Sequence, residues 1–276
     1  MRTQHLESVP EYDIAHPHHS IGFHTVPFFS LQILRLTVLS AVLVVSGCAT
    51  LSGPSPKADP FESFNRASFK VNETLDEVVL KPVAQGYVAI TPVFVRAGVS
   101  NAFLNVGDIN TAFNNLLQGK VGDAFSDLGR VLVNTTLGVF GLWDVATPMG
   151  LEKHEEDFGQ TLGKWGVASG PYLVLPLMGP STLRDTFGRP VDSAFGYYRH
   201  IDHKRTANSL FITEIISVRA NLLNASDTLE TASIDKYNFL RDAYLQRRLG
   251  KVYDGKPPQE KRDQLDDSLD PPPVSK

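Results

Sequence analysis

The 276-residue chain carries 26 basic and 30 acidic side chains, a net charge of −4, and a single cysteine. With no run of Lys or Arg, that balance excludes nucleic acid as a partner and excludes polybasic docking on anionic lipid. One thiol excludes a disulfide framework and a cysteine metal site, so stability must come from packing or from a membrane.

In chain order, residues 1–47 read as a signal peptide. Residues 36–45 are an uncharged stretch of ten, matching the hydrophobic region of a secretory signal. It is too short to span a bilayer as a helix. Val45-Ser46-Gly47-Cys48 follows in the order of a lipobox, where a bacterial signal peptidase cuts before a cysteine that carries lipid. A lone buried thiol is the alternative, because free cysteine is often buried. The position directly behind the apolar run favours lipidation, with diacylglycerol and an acyl chain on Cys48 and no other cofactor.

Removal of residues 1–47 takes Arg2, Arg35, Glu7, Glu11 and Asp13, leaving 24 basic against 27 acidic side chains. Five of the eight histidines leave with it, which turns a His-rich metal reading into pre-sequence. The stretch before Leu31 is long and polar for a signal, so the true translation start is open. No aspartate follows Cys48, where Ala49 and Thr50 stand. By the usual sorting rule this points to the periplasmic leaflet of an outer membrane.

Residues 48–58, with Ser52, Gly53, Pro54, Ser55 and Pro56, read as a lipidated tether. Residues 59–253 form the folded part, expected to be mostly α. Asp59 is the expected N-cap of a first helix, with Pro60 and Glu62 behind it. Phe61, Phe64, Val71 and Leu75 would line its apolar face. Residues 99–117 repeat the pattern through Phe103, Val106 and Phe113, and Val121, Phe125, Leu128 and Leu132 mark another helix. Two more are expected over 210–223 and 234–249, the last closed by Gly250. Strand-like alternation is nearly absent. Residues 254–276, rich in proline and charge, are expected to be disordered.

Two segments do not behave as ordinary core helices. Residues 136–146 are apolar almost all round, with Gly138, Gly141 and Trp143. Residues 165–183 hold no charge over nineteen positions, yet glycines and prolines break them repeatedly. Irregular backbone at membrane depth is tolerated where it is buried in protein or lines a cavity. A buried loop of a soluble core fits equally well, and the residues alone leave both open.

An enzyme reading finds no nucleophile elbow, HExxH, P-loop or GxGxxG. His154-Glu155-Glu156-Asp157 is the densest polar cluster, but neighbouring side chains diverge and a solvated charged turn is expected rather than a metal site. Arg184-Asp185 and Arg241-Asp242 read as helix-surface ion pairs. His200 and His203 read as a polar loop. No catalytic residue and no metal ligand is assigned.

Asp59-Pro60-Phe61-Glu62-Ser63-Phe64-Asn65-Arg66 resembles the start of the mature domain in the MlaA (VacJ) family of outer-membrane lipoproteins. Phe158-Gly159-Gln160-Thr161-Leu162-Gly163, then Gly166-Val167, Gly170-Pro171-Tyr172, Leu175-Pro176 and the run from Gly179 to Asp185 resemble its central signature. Arg241-Asp242-Ala243-Tyr244-Leu245-Gln246-Arg247 is similar to its C-terminal helix. The long polar pre-sequence and Lys70-Val71, where a more aromatic pair is usual, depart from the pattern.

The resemblance implies a single helical ring-shaped domain, partly embedded in one membrane leaflet around an amphipathic pore. It implies a protein that removes mislocalised phospholipid from the outer leaflet and makes or breaks no bond. The implied partners are phospholipid, an outer-membrane porin trimer and a periplasmic MlaC-type lipid carrier. The alternative is a structural, porin-associated envelope lipoprotein without transport. On the transport reading, residues 138–179 line the pore, with Gly138, Gly141, Trp143, Gly166, Gly170, Pro171, Tyr172, Pro176 and Gly179 as candidates. Residues 152–157 would be a polar, mobile connection.

Overall fold

A computed structural model describes residues 58–269 of the chain. Cys48, the signal segment, nearly all of the tether and residues 270–276 lie outside the described residues.

Helix α1 (Glu62–Leu75) runs through a π-helical turn, Asp76–Leu80, into α2 (Lys81–Ile90). Pro82 explains the wider turn, because its ring clashes with the carbonyl four residues back and it offers no amide. Pro92 stops α2 by forcing Thr91 out of the helical region, to φ −107° and ψ 121°. The long α3 (Val93–Leu117) then turns back at Gly119, φ +79°, into α4 (Val121–Thr136). The two pack along each other.

After an irregular stretch, α5 (Phe158–Lys164) starts at Asp157, whose carboxylate accepts from the Gln160 amide at 2.9 Å. Strands β1 (Tyr172–Leu175) and β2 (Gly179–Thr182) form an antiparallel hairpin with Tyr172 opposite Thr182. Thr182 then caps α6 (Leu183–Ala194) by accepting from the Asp185 amide at 3.2 Å. A 3₁₀ turn (Tyr197–His200), α7 (Lys204–Asn221), α8 (Leu223–Ala232), α9 (Lys236–Val252) and α10 (Gln259–Leu269) complete the chain.

The contacts close a circuit: α2 packs on α7, α7 on α3, α3 on α5, α5 on α6, α6 on β2, and β1 on α1. Among the described residues, no helix is long and apolar enough to cross a membrane.

The mostly α expectation holds, with four corrections. The hairpin lies inside the uncharged stretch 165–183, where no alternation marks it. Residues 259–269 are helical rather than disordered: Leu265 and Leu269 pack against Tyr172, Val174, Tyr237 and Leu245, and Ala58 N donates to Ser268 O at 3.0 Å. Helix α9 passes Gly250 and ends at Val252. Asp59 caps nothing. It is fully buried and accepts from Asn65 Nδ2 at 2.7 Å and from the Tyr237 hydroxyl, with Arg241 Nη1 at 3.7 Å.

A further difference concerns the faces of the helices. The expected apolar face of α1 is turned outward at Phe61, Val71 and Leu75, while Asn65 and Ser68 are buried. In α3 the buried side chains include Asn105, Asp108, Thr111, Asn114 and Asn115, and in α4 Asp127, Arg130 and Asn134. Val121, Leu128 and Leu132 are exposed, and Phe125 is 68% exposed. The interior is largely polar and much of the exterior is apolar. In water this would cost roughly 25 cal/mol for every Å² of apolar surface left wet; in lipid it costs nothing comparable.

Candidate functional site

The polar interior is bonded rather than empty. Arg130 reaches Asp108 Oδ2 at 3.3 Å, Asp144 Oδ1 at 3.2 Å, Thr147 Oγ1 at 2.9 Å and the Leu151 carbonyl at 2.7 Å. Asn134 Oδ1 accepts from the amides of Val145 and Ala146 at 2.8 and 2.9 Å. Burial opposes ionisation of Asp144, but bonds from Thr147, Asn134 and Arg130 hold its pKa down at about 2. A second network joins three helices: Arg248 donates to Asp157 at 2.5 and 2.6 Å and to Asp185 at 2.8 Å, and Tyr244 donates to Asp185 at 3.0 Å. Burial pushes against the Asp157 charge, yet Arg248 keeps its carboxyl below the usual range.

Between α3, residues 153–157, α6, the 3₁₀ turn and α7 lies a cavity of about 450 Å³. Its lining is mixed, with apolar and aromatic side chains from Phe103, Leu104, Val106, Phe195, Tyr197 and Tyr198. Charged side chains from Lys153, Glu155, Glu156, Asp157, Arg189, Asp192 and Glu214 line the same space. Asp192 accepts from the Phe158 amide at 2.9 Å and from Asn110 Nδ2 at 3.1 Å, and burial raises its pKa. Gln160 is almost fully buried, and its Oε1 has no partner among the described residues.

Residues 153–157 are not a free, solvated turn, as the sequence led us to expect. Lys153 bonds Asp108, His154 Nδ1 lies 2.9 Å from Asp127, and Glu155 accepts from Lys251 at 2.7 Å. Glu156 accepts from Lys120 at 3.0 Å and Asp157 is held by Arg248. All five are tethered. They separate the cavity from a second one of about 470 Å³, which shares Lys153, His154, Glu155, Glu156, Gln160 and Lys251 with the first. Arg184, Asp185 and Arg241, read from sequence as surface ion-pair residues, are buried. His200 and His203 are exposed, as expected of a polar loop.

None of the nine candidate pore residues lines the cavity. Tyr172 is sealed in the apolar core between Tyr237 and Tyr244, with ring centroids 6.3 and 6.0 Å away, so it is packing and not lining. Gly138 and Gly141 are buried in the turn after α4. A Cβ on Gly138 would stand 2.1 Å from the Trp143 carbonyl, and Gly141 has φ +82° against Asn105. That turn presents Leu137, Val139, Phe140 and Trp143 outward, Phe140 at 80% exposure. Gly166 and Gly170 border a separate space of about 560 Å³ between α5, α9 and α10. Pro171 lies at the start of the hairpin, and Pro176 and Gly179 at its tip.

The residues that do shape the site carried a signal in the sequence. Asn105, Asp108, Thr111, Ala112 and Asn115 recur at helical spacing, as do Ala124, Asp127, Arg130 and Asn134. These are polar stripes opposite the apolar ones.

The MlaA lipoprotein family model matches residues 57–251. The intermembrane phospholipid transport system lipoprotein MlaA of Escherichia coli (strain K12) is 36% identical over 223 residues, 78% of this chain and 87% of the relative. Its namesake in Haemophilus influenzae is 32% identical, over 85% of this chain and 96% of the relative. A solved structure from work on the structural basis for maintenance of bacterial outer membrane lipid asymmetry superposes with a TM-score of 0.62. It is 34% identical, over 72% of this chain and 99% of that one.

Proposed function

This chain belongs to the MlaA lipoprotein family, and on that premise we propose that it removes mislocalised phospholipid from the outer leaflet of an outer membrane through an amphipathic passage and hands it to a periplasmic carrier. The observation that carries this reading is a cavity lined by both apolar and charged side chains, inside a domain with a polar core and an apolar exterior.

A phospholipid joins a charged headgroup to apolar tails, so its path needs both kinds of lining. Leu104, Val106 and Phe195 in its lining suit acyl chains, and the charged and tyrosine lining suits the headgroup. An apolar exterior suits a domain lying in one leaflet, and the closed circuit of contacts suits a ring around the passage. Lipid on Cys48 would hold the chain to the same membrane, since stable anchoring takes more than one acyl chain. A porin trimer would keep the ring in place, and a carrier of the MlaC type would receive the lipid. No bond is made or broken.

The direct test is mass spectrometry of the purified protein and of vesicles in which it is reconstituted with a carrier. Bound phospholipid and its transfer are expected, and recovery of the lipid intact separates transport from hydrolysis. A protein that carries no phospholipid would instead be a structural envelope lipoprotein.

A further inference from the structure

Among the described residues, Glu214 stands in the cavity as a carboxylate without a cationic partner. The other acids there are satisfied: Glu155 by Lys251, Glu156 by Lys120, Asp157 by Arg248, and Asp192 by the Phe158 amide and two asparagines. Among the described residues, Glu214 has one polar bond, from the Tyr197 hydroxyl, 3.1 Å from Oε2. Aromatic rings gather beside it. Tyr197 and Tyr198 have centroids 4.7 Å apart, Phe103 lies 5.8 Å from Tyr197, and Phe211 lies 5.5 Å from Tyr198.

A partly buried carboxylate with no counter-ion is unfavourable, and burial raises the Glu214 pKa. Tyrosine faces attract cations, and more strongly where water is excluded. Arg189 lines the same cavity with the opposite problem. Its Nη2 donates to the Pro180 carbonyl at 3.1 Å, and among the described residues it has no carboxylate partner. One cavity therefore presents an uncompensated anion among rings and an uncompensated cation, not paired with each other.

We infer that Glu214, Tyr197 and Tyr198 form a subsite for the ammonium group of a zwitterionic phospholipid headgroup, with Arg189 as the partner of its phosphate. The inference rests on the transport reading above. Ethanolamine and choline headgroups share this chemistry, whereas phosphoglycerol has no ammonium. An ethanolamine nitrogen donates to the Glu214 carboxylate; a choline nitrogen has no N–H and depends on charge and rings.

The test uses the full chain, incubated with vesicles of equal parts phosphatidylethanolamine, phosphatidylcholine and phosphatidylglycerol, with retained lipid measured by mass spectrometry. The wild type is expected to retain both zwitterionic lipids over phosphatidylglycerol. Glu214→Gln keeps an acceptor for Tyr197 but removes the charge, and it should lower that preference, read as the ratio of retained headgroups, about tenfold. Tyr198→Leu should lower choline retention more than ethanolamine retention. Unchanged headgroup ratios in both variants overturn the subsite and leave the transport reading standing. A wild type that retains no phospholipid overturns the transport reading, and the subsite with it.

Discussion

Arg130 on α4 meets Asp108 on α3 at 3.3 Å, with both side chains only 2% exposed. A charged pair at the centre of the main helical hairpin, with leucines and phenylalanines outside it, defines how this domain is built. Such a pair is weak evidence for stability as a whole, but removing one partner strands the other. Arg130→Met should therefore lower unfolding free energy by about 3 to 5 kcal/mol. Denaturation in detergent measures this; an unchanged midpoint would show that Lys153 alone compensates Asp108.

Gly188 on α6 lies against the start of α5, where an added Cβ would stand 2.7 Å from the Gly159 amide nitrogen. The obstacle is backbone, so the helices must part and strain the bond from Phe158 N to Asp192. Gly188→Ala should destabilise by about 1 to 3 kcal/mol. Gly86 in α2 has no neighbouring atom within 4 Å of such a Cβ, and Gly86→Ala should stabilise by about 0.5 to 1 kcal/mol through helix propensity. Opposite shifts in melting temperature check the pair.

Asp144 ionises in the native state near pH 2, below its unfolded value of 3.8. A depressed carboxylate adds stability that is fully present above the unfolded pKa and lost as pH falls through the folded one. Wild type should exceed Asp144→Asn by about 1 to 2 kcal/mol at pH 6, allowing for screening at a side chain one-third exposed. The gap should close between pH 4 and pH 2. Denaturant titrations of both proteins across that range would reveal a constant gap if charge plays no part.

The turn after α4 holds Val139 at φ 51° and Phe140 at φ 57°, left-handed conformations unusual for such residues. With Trp143 beside it, this exposed apolar tip fits insertion into lipid. In a Cys48→Ser background, which would remove the lipid proposed on that residue, Phe140→Ser should weaken vesicle binding by about 1.5 to 3 kcal/mol. Flotation of both proteins with vesicles measures it, and equal binding would place the tip outside the bilayer.

How much of this was legible in the chain follows from which forces are local. Helix positions in α1, α3, α4, α7 and α9 came from periodicity, readable over a few residues, whereas α2 and its stop before Pro92 were not read from it. The residues carrying the family signature were readable too: Gly159 is one because a Cβ there would collide with Arg248 and Asp185. The β1–β2 hairpin was not, because Asn65 and Asn72 hold it from over 100 residues away, Asn65 Oδ1 accepting from Val174 N at 2.8 Å.

The cavity was the least readable part. Its walls come from α3, α6, α7 and residues 153–157, and its ionic side is shaped by partners such as Arg248 and Lys251 far along the chain. Sequence by itself determined a mostly helical chain with apolar stripes and no catalytic motif. Periodicity reveals two faces of a helix but not which one is inside. Only the tertiary structure decided that, by pairing Asp108 with Arg130 and Asp157 with Arg248, so that the polar faces meet and the apolar faces are left outward.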